Sequence, residues 1–324
     1  MLTDLDLPAL REYRSGYREP EDFDAFWSAT LAEARSHDLM LRLEPVPAHL
    51  ETVEVYDVSF AGFGGHPVRG WLRLPRGRGG EQLPAVVQFH GYASGRGAPF
   101  EDLLWSSAGF AHLLMDTRGQ GGAYAGGGAT PDPVGSGPSH PGFLTRGIED
   151  RESYVYRRIL TDAVRAVEAV RASGFGDPGR VAVLGNSQGG GIALAAAGLV
   201  PDVAALYAQA PFLCDIRRAV RITDAAPYAE IAGYLGARRD AVEQVFETLS
   251  YFDGVAFARR ASAPAWFSAG LMDPVCPPST VFGAYHAYAG GEKHIRAWEF
   301  NGHEAGGSDD LAIVLPALRS LLKA

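Results

Sequence analysis

Apolar residues recur at helical spacing over 20–37 (PEDFDAFWSATLAEARSH), where Phe23, Phe26, Trp27, Leu31 and Ala34 share one face and predict an N-terminal amphipathic helix. The period then changes. TVEVYDVSF at 52–60 alternates, as an edge strand does, and VRGWLRLP at 68–75 follows a GFGGHP turn, which predicts an antiparallel hairpin. Beyond it the apolar runs become short and unbroken, the pattern of strands buried on both faces: 84–90, 110–116, 180–186, 203–210, 263–270 and 295–302. Helical patterns separate them, most clearly at 149–173, 188–199, 278–289 and 308–323. Strand alternating with helix predicts a mostly parallel sheet of about eight strands, flanked by helices, behind two antiparallel strands.

No repeat or long linker divides the chain, so residues 1–324 are expected to form a single domain. Two segments exceed what a minimal sheet-and-helix fold needs. Residues 119–148 form a Gly/Pro-rich loop of a length that usually serves function. Residues 211–262 lie between two predicted strands, carry several short helical patterns, and are expected to act as a cap-like insertion. Their apolar residues Phe212, Leu213, Tyr228, Ile231, Tyr234 and Leu235 would be exposed unless a partner covered them, which points to a homo-oligomer.

Charge narrows the partners. The net charge is -9 and no Lys/Arg cluster stands out, which argues against nucleic acid. The two cysteines, Cys214 and Cys276, are too few for a disulfide framework and fit a reducing compartment. The N-terminal stretch lacks a basic segment followed by an apolar one, and no apolar run reaches the roughly 20 residues of a membrane span. A cytoplasmic protein without a membrane partner is the expectation.

The chemistry concentrates at strand ends. Gly185-Asn186-Ser187-Gln188-Gly189 joins a strand to a small-residue helix, the G-x-S-x-G elbow in its proper context. Together with the strand order it predicts an α/β-hydrolase fold with Ser187 as nucleophile. The Gln188 backbone N–H, at the helix N-terminus, is then one oxyanion donor. The fold orders its triad Ser, Asp/Glu, His. His303 follows the last strand and is the expected base; His90, His286 and His294 are read as structural. Asp273, in the turn after the preceding strand, is the expected acid. Glu299, read as lying inside the strand, and Glu304, adjoining the base, are its rivals. The loop His90-Gly91-Tyr92 should supply the second oxyanion donor through the Tyr92 N–H, with the Tyr92 ring lining the acyl pocket.

Arg118-Gly119-Gln120-Gly121, Gly185-Asn186-Ser187-Gln188-Gly189-Gly190 and His303-Glu304 resemble the three signature motifs of carbohydrate esterase family seven, the acetyl xylan esterases and cephalosporin C deacetylases. DPVCPPS at 273–279, HGY at 90–92 and the N-terminal PEDFDAFW also look like that family, so the resemblance runs along nearly the whole chain. It implies removal of acetyl groups from small sugar esters and from cephalosporin C. It further implies no metal or other cofactor, an intracellular setting, a ring-like hexamer, and a β-strand insertion that makes subunit contacts and narrows the active-site mouth. In the motif 118–121 it implies that the Arg118 guanidinium ties loops together beneath the site, a task suited to its five donors. Two other readings remain: a peptidase of the prolyl-oligopeptidase kind, and a binding protein on a silent hydrolase fold.

Overall fold

The computed structural model describes residues 2–78, 80–123, 126–134, 137, 140 and 142–323, so parts of the 119–148 loop lie outside the described residues. In chain order the elements are α1 (Leu7–Glu12), α2 (Phe23–Arg35), β1 (Arg42–Val46), β2 (Val53–Ala61), β3 (Pro67–Pro75), β4 (Leu83–Phe89), α3 (Leu104–Ser107), β5 (Ala111–Met115), α4 (Val155–Ala172), β6 (Gly176–Asn186), α5 (Gln188–Leu199) and β7 (Ala205–Gln209). There follow α6 (Ile216–Ile222), α7 (Tyr228–Ala237), α8 (Val242–Ser250), α9 (Gly254–Ala258), β8 (Ala265–Gly270), α10 (Pro278–Ala287), β9 (Lys293–Trp298) and α11 (Ser308–Leu322). Among the described residues the strands form one sheet in the order β1-β2-β3-β5-β4-β6-β7-β8-β9. The first three strands are antiparallel, β3 meets β5 antiparallel, and β5 through β9 run parallel.

Alternate side chains of the parallel strands feed two cores. Val87 of β4 and Val183 of β6 pack with the helices α4 and α5 on one face, while Val86, Ala182 and Leu184 meet Val314, Leu318 and Leu322 of α11 on the other. The fold is therefore a three-layer α/β-hydrolase. Its strand order reverses beside β4: the chain leaves β4 for β5 on one side, while β6 flanks it on the other with Phe89 opposite Gly185. Such a reversal opens a crevice at the carboxyl ends of the strands, where loops can converge on a ligand.

Several boundaries differ from the sequence pattern. The segment 52–60 is not an edge strand, because β1 pairs outside it, with Arg42 opposite Ser59. β1 itself, RLEPV, is largely solvated and shows no alternation to read; its Pro45 sits on a sheet edge, where a missing N–H is tolerated. The helix expected from 149 starts at Val155. Asp150 instead accepts the Glu152 N–H at 3.1 Å and the Ser153 hydroxyl at 2.7 Å, side-chain bonds that compete with helix formation. The last strand ends at Trp298 rather than continuing to 302, because the Asn301 carbonyl turns to accept the Met272 N–H.

The 211–262 segment is helical, and among the described residues neither it nor 119–148 contains the β-strand insertion that the resemblance implied. Its apolar residues also need no second subunit to cover them. Phe212, Leu213, Tyr228, Ile231 and Tyr234 are buried within the chain, with Leu235 packed at the margin. Phe212 packs on Tyr228 at 4.3 Å between ring centroids, and α2 brings Phe23, Phe26 and Trp27 against Tyr251, Phe252 and Phe257. The argument for oligomerisation from exposed apolar surface therefore falls. No helix of the described residues is long and apolar enough to cross a membrane.

Candidate active site

β6 ends at Asn186, and Ser187 bridges it to α5 with φ 57° and ψ −121°, a left-handed conformation unfavourable for a side-chain-bearing residue. The surroundings hold it there. The Ser187 N–H donates to the Gln209 carbonyl at 2.9 Å, and its own carbonyl accepts the N–H groups of Gly191 (3.0 Å) and Phe212 (2.9 Å). The flanking glycines are demanded by close packing: a Cβ at Gly185 would strike the Gly189 backbone, and one at Gly189 the Phe89 carbonyl.

β9 and the turn after it carry His303, and the turn after β8 carries Asp273. Ser187 Oγ and His303 Nε2 lie 2.9 Å apart, and His303 Nδ1 is 2.9 Å from Asp273 Oδ2. An ionised carboxylate only accepts, so the ring proton belongs on Nδ1 and Nε2 is left to receive the serine hydrogen. Asp273 is fully buried, and its other oxygen accepts the N–H groups of Val275 (2.7 Å) and Cys276 (3.0 Å). The rivals lie elsewhere. Glu299 is exposed and falls in the turn just past β9, while Glu304 is exposed and accepts from Asn301 and Gly302. His286 bonds the Leu10 carbonyl, His294 stacks on Trp266, and burial depresses His90 to about 4 with Arg73 adding to the effect.

Tyr92 follows β4 and lines the same pocket as Ser187 and His303, a cavity of about 440 Å³. Among the described residues no protein acceptor is bonded to the backbone N–H of Tyr92 or of Gln188. The Gln188 side chain turns away beneath the loop. Its Oε1 accepts from Tyr156 (2.7 Å) and from Gln120 Nε2 (3.0 Å), and Gln120 Oε1 in turn accepts the Ala93 N–H at 2.8 Å. Gln120 thus ties the loop after β4 to the serine elbow. Gly121, at φ 103°, lets the chain cross there, since a Cβ would strike the Gly128 backbone. The Gly126–128 run is where that crossing strand of loop packs.

Arg118 lies deeper. It forks onto Asp162 of α4 at 2.6 and 2.7 Å and faces Asp132 at 3.5 Å, while Arg158 closes the network on Asp132 at 2.7 Å. Burial works against the Arg118 charge, but Asp162 and Asp132 outweigh it and hold the guanidinium above its ordinary value. The neighbouring Gly119, at φ 69°, sits against Asp132.

This geometry sits on a chain that matches the family model for acetyl xylan esterase (AXE1) over residues 1–313. The chain belongs to the acetyl xylan esterase family. Acetyl xylan esterase from Paenibacillus sp. R4 is 38% identical and superposes with a TM-score of 0.89, covering 97% of this chain and 99% of that one. Acetyl xylan esterase 1 from Thermoanaerobacterium sp. JW/SL YS485 is 34% identical with a TM-score of 0.88, covering 99% of both chains. Acetyl esterase Axe7A of Xylanibacter ruminicola is 28% identical over 290 residues, 82% of this chain; the match spans 59% of that longer relative.

Within this family member pattern reading gave three contributors no part in the site. Cys276 is buried with its thiol against Ser187, and burial, then Asp273 and Cys214, push that thiol well up, so it stays protonated. Asp273, Cys276 and His303 offer oxygen, sulfur and nitrogen within 4.8 Å of one another, but the oxygen and nitrogen are already engaged with each other. Asp162 is the partner that Arg118 requires. Glu230 of α7 binds the Tyr92 hydroxyl at 2.9 and 2.8 Å. Only the position of Cys276 three residues after Asp273 gave any hint.

Proposed function

We propose that the chain is a serine esterase removing acetyl groups from small acetylated substrates, xylooligosaccharide acetates and cephalosporin C, through an acetyl-serine intermediate. The hydrogen-bonded series Ser187–His303–Asp273, opening on a pocket bounded by Tyr92, carries this reading. Ser187 Oγ attacks the acetyl carbonyl as His303 Nε2 takes its proton. The oxyanion rests between the N–H groups of Tyr92 and Gln188. His303 then protonates the leaving alkoxide, and water activated by the same nitrogen releases acetate. Asp273 holds the tautomer and compensates the imidazolium. Residues 1–324 act as one hydrolase domain with 211–262 as its cap, and Arg118, Gly119, Gln120 and Gly121 brace the loops under the site. Neither metal nor cofactor has a part in these steps.

The wider reading places a closed homohexamer in the cytoplasm, a proposal that rests on the family. A mass near the 34.6 kDa of one chain by light scattering would remove the hexamer.

The test of chemistry is the acyl series. With a fixed nitrophenol leaving group, kcat/KM should fall steeply from acetate to butyrate, each excess methylene in a filled pocket costing about 10-fold or more. Ser187→Ala should abolish both turnover and fluorophosphonate labelling. A flat profile to octanoate, or peptide turnover exceeding ester turnover, would overturn the acetyl esterase reading.

A further inference from the structure

The pocket at Ser187 is lined mostly by small or uncharged residues: Gly91, Ala93, Ala123, Ala226, Pro227 and Val275. Besides His303, one ionisable carboxylate or cation stands on its wall among the described residues, Glu230 of α7. It is half-buried, and Arg146 and His140 act on its charge from beyond ion-pair distance. Its bonds are the Tyr92 hydroxyl, shared by both oxygens, and the Leu144 N–H at 3.1 Å on Oε2. Oε1 therefore keeps acceptor capacity beyond its one donor. Burial raises this carboxyl above the ordinary glutamate value, while the Tyr92 hydroxyl, the Leu144 N–H and then the nearby His140 and Arg146 pull it back toward the ionised form.

We propose that Glu230 is a specificity-determining residue on the alcohol side of the site, selecting neutral, hydroxyl-rich leaving groups over anionic ones. The proposal rests on the acetyl esterase reading and ranks its two substrate kinds. A sugar acetate is neutral and brings hydroxyl donors, one of which Oε1 can accept beside the Tyr92 hydroxyl. A cephalosporin acetate brings a carboxylate close to its acetoxymethyl group. Two like charges about 10 Å apart in a partly desolvated pocket repel by enough to cost roughly 10-fold in kcat/KM, and salt screens that cost only in part. The carboxylate acts on the leaving group from the cap, while the acyl end is governed by the Tyr92 and Gln188 turns. Because Glu230 also accepts the Tyr92 hydroxyl, the charge effect is read from the ratio of two acetates, which share one acyl group.

The experiment compares kcat/KM for xylobiose acetate and cephalosporin C in the wild type and in Glu230→Gln, whose amide oxygen can still accept the Tyr92 hydroxyl. The ratio of the two values cancels any general loss of activity. The expected result is a shift of the ratio toward the anionic ester by roughly 10-fold, with the salt dependence of the ratio weakened in the variant. Glu230→Asp, which keeps the charge, should retain the wild-type preference, and Glu230→Ala serves if the amide variant does not fold. A ratio unchanged within twofold in the charge-removing variant overturns the assignment. If wild-type enzyme hydrolyses neither ester, the esterase reading has failed instead, and that outcome is visible before any variant is made.

Discussion

Asp273 is buried with both oxygens engaged: one takes two backbone N–H groups, the other the His303 ring. Replacing it with asparagine would present an amide N–H or a single oxygen, and either choice breaks a bond. If the oxygen stays with the backbone, the amide donates toward Nδ1, the ring proton moves to Nε2, and Ser187 loses its acceptor. Asp273→Asn should therefore fold and still bind substrate, yet lose about 10⁴-fold in kcat. Steady-state kinetics beside a circular dichroism spectrum checks this, and near-normal kcat would return the acid to Glu299 or Glu304. The three polar residues of this relay were legible because each falls at the end of a strand pattern with Gly or Pro within two residues. The Gln120–Gln188 pair and the Glu230–Tyr92 bond were not, because they join positions 68 and 138 residues apart without any local period.

At the scale of elements, long periodic runs announced themselves and short ones did not: α2, α5 and the parallel strands were plain, whereas β1 and α1 are too short to show a period. Another unread feature is the start of α9. Asp253 caps it by accepting the Val255 N–H, and it also accepts the N–H groups of Asp215 and Ile216 at the mouth of α6. Burial first, and then the nearby Asp215 charge, push this carboxyl from 3.8 up to about 7. The folded protein thus holds the proton more tightly than the unfolded chain does. The group's contribution is fully present below the unfolded value and is lost as pH rises from about 4 toward 7, with a slope of at most about 1.4 kcal/mol per pH unit. Asp253→Asn removes the titration. Its stability deficit relative to wild type, measured by denaturant unfolding, should be larger at pH 5 than at pH 8. An equal deficit at both would mean that the carboxyl is ionised throughout.

Across the whole molecule, the N-terminal segment joins parts that the sheet alone leaves separate. The Thr3 hydroxyl donates to the Asp273 carbonyl at 2.9 Å. Asp4, with its side chain almost entirely buried, accepts the Ser279 N–H at 2.8 Å and the Arg218 guanidinium at 3.0 Å. Further on, Tyr13 donates to Asp215, Tyr17 to the Ser250 carbonyl and Trp27 to the Tyr251 carbonyl. One strap therefore clamps the turn that carries Asp273 and the 211–262 segment beside the pocket. Asp4→Ala leaves the Ser279 N–H and one arm of Arg218 without their acceptor, a cost of about 1–3 kcal/mol. In a chain of this size that lowers the thermal midpoint by about 1.5 °C per kcal/mol. If the strap only stabilises, kcat per folded molecule stays at the wild-type value while the midpoint falls. Because the released bonds lie on the segment that seats Asp273, we expect kcat to fall several-fold at temperatures well below the midpoint, with KM for a small acetyl ester little changed. Measuring kcat, KM and the midpoint on the same preparation separates the two outcomes, and an unaltered kcat would confine the strap to stability.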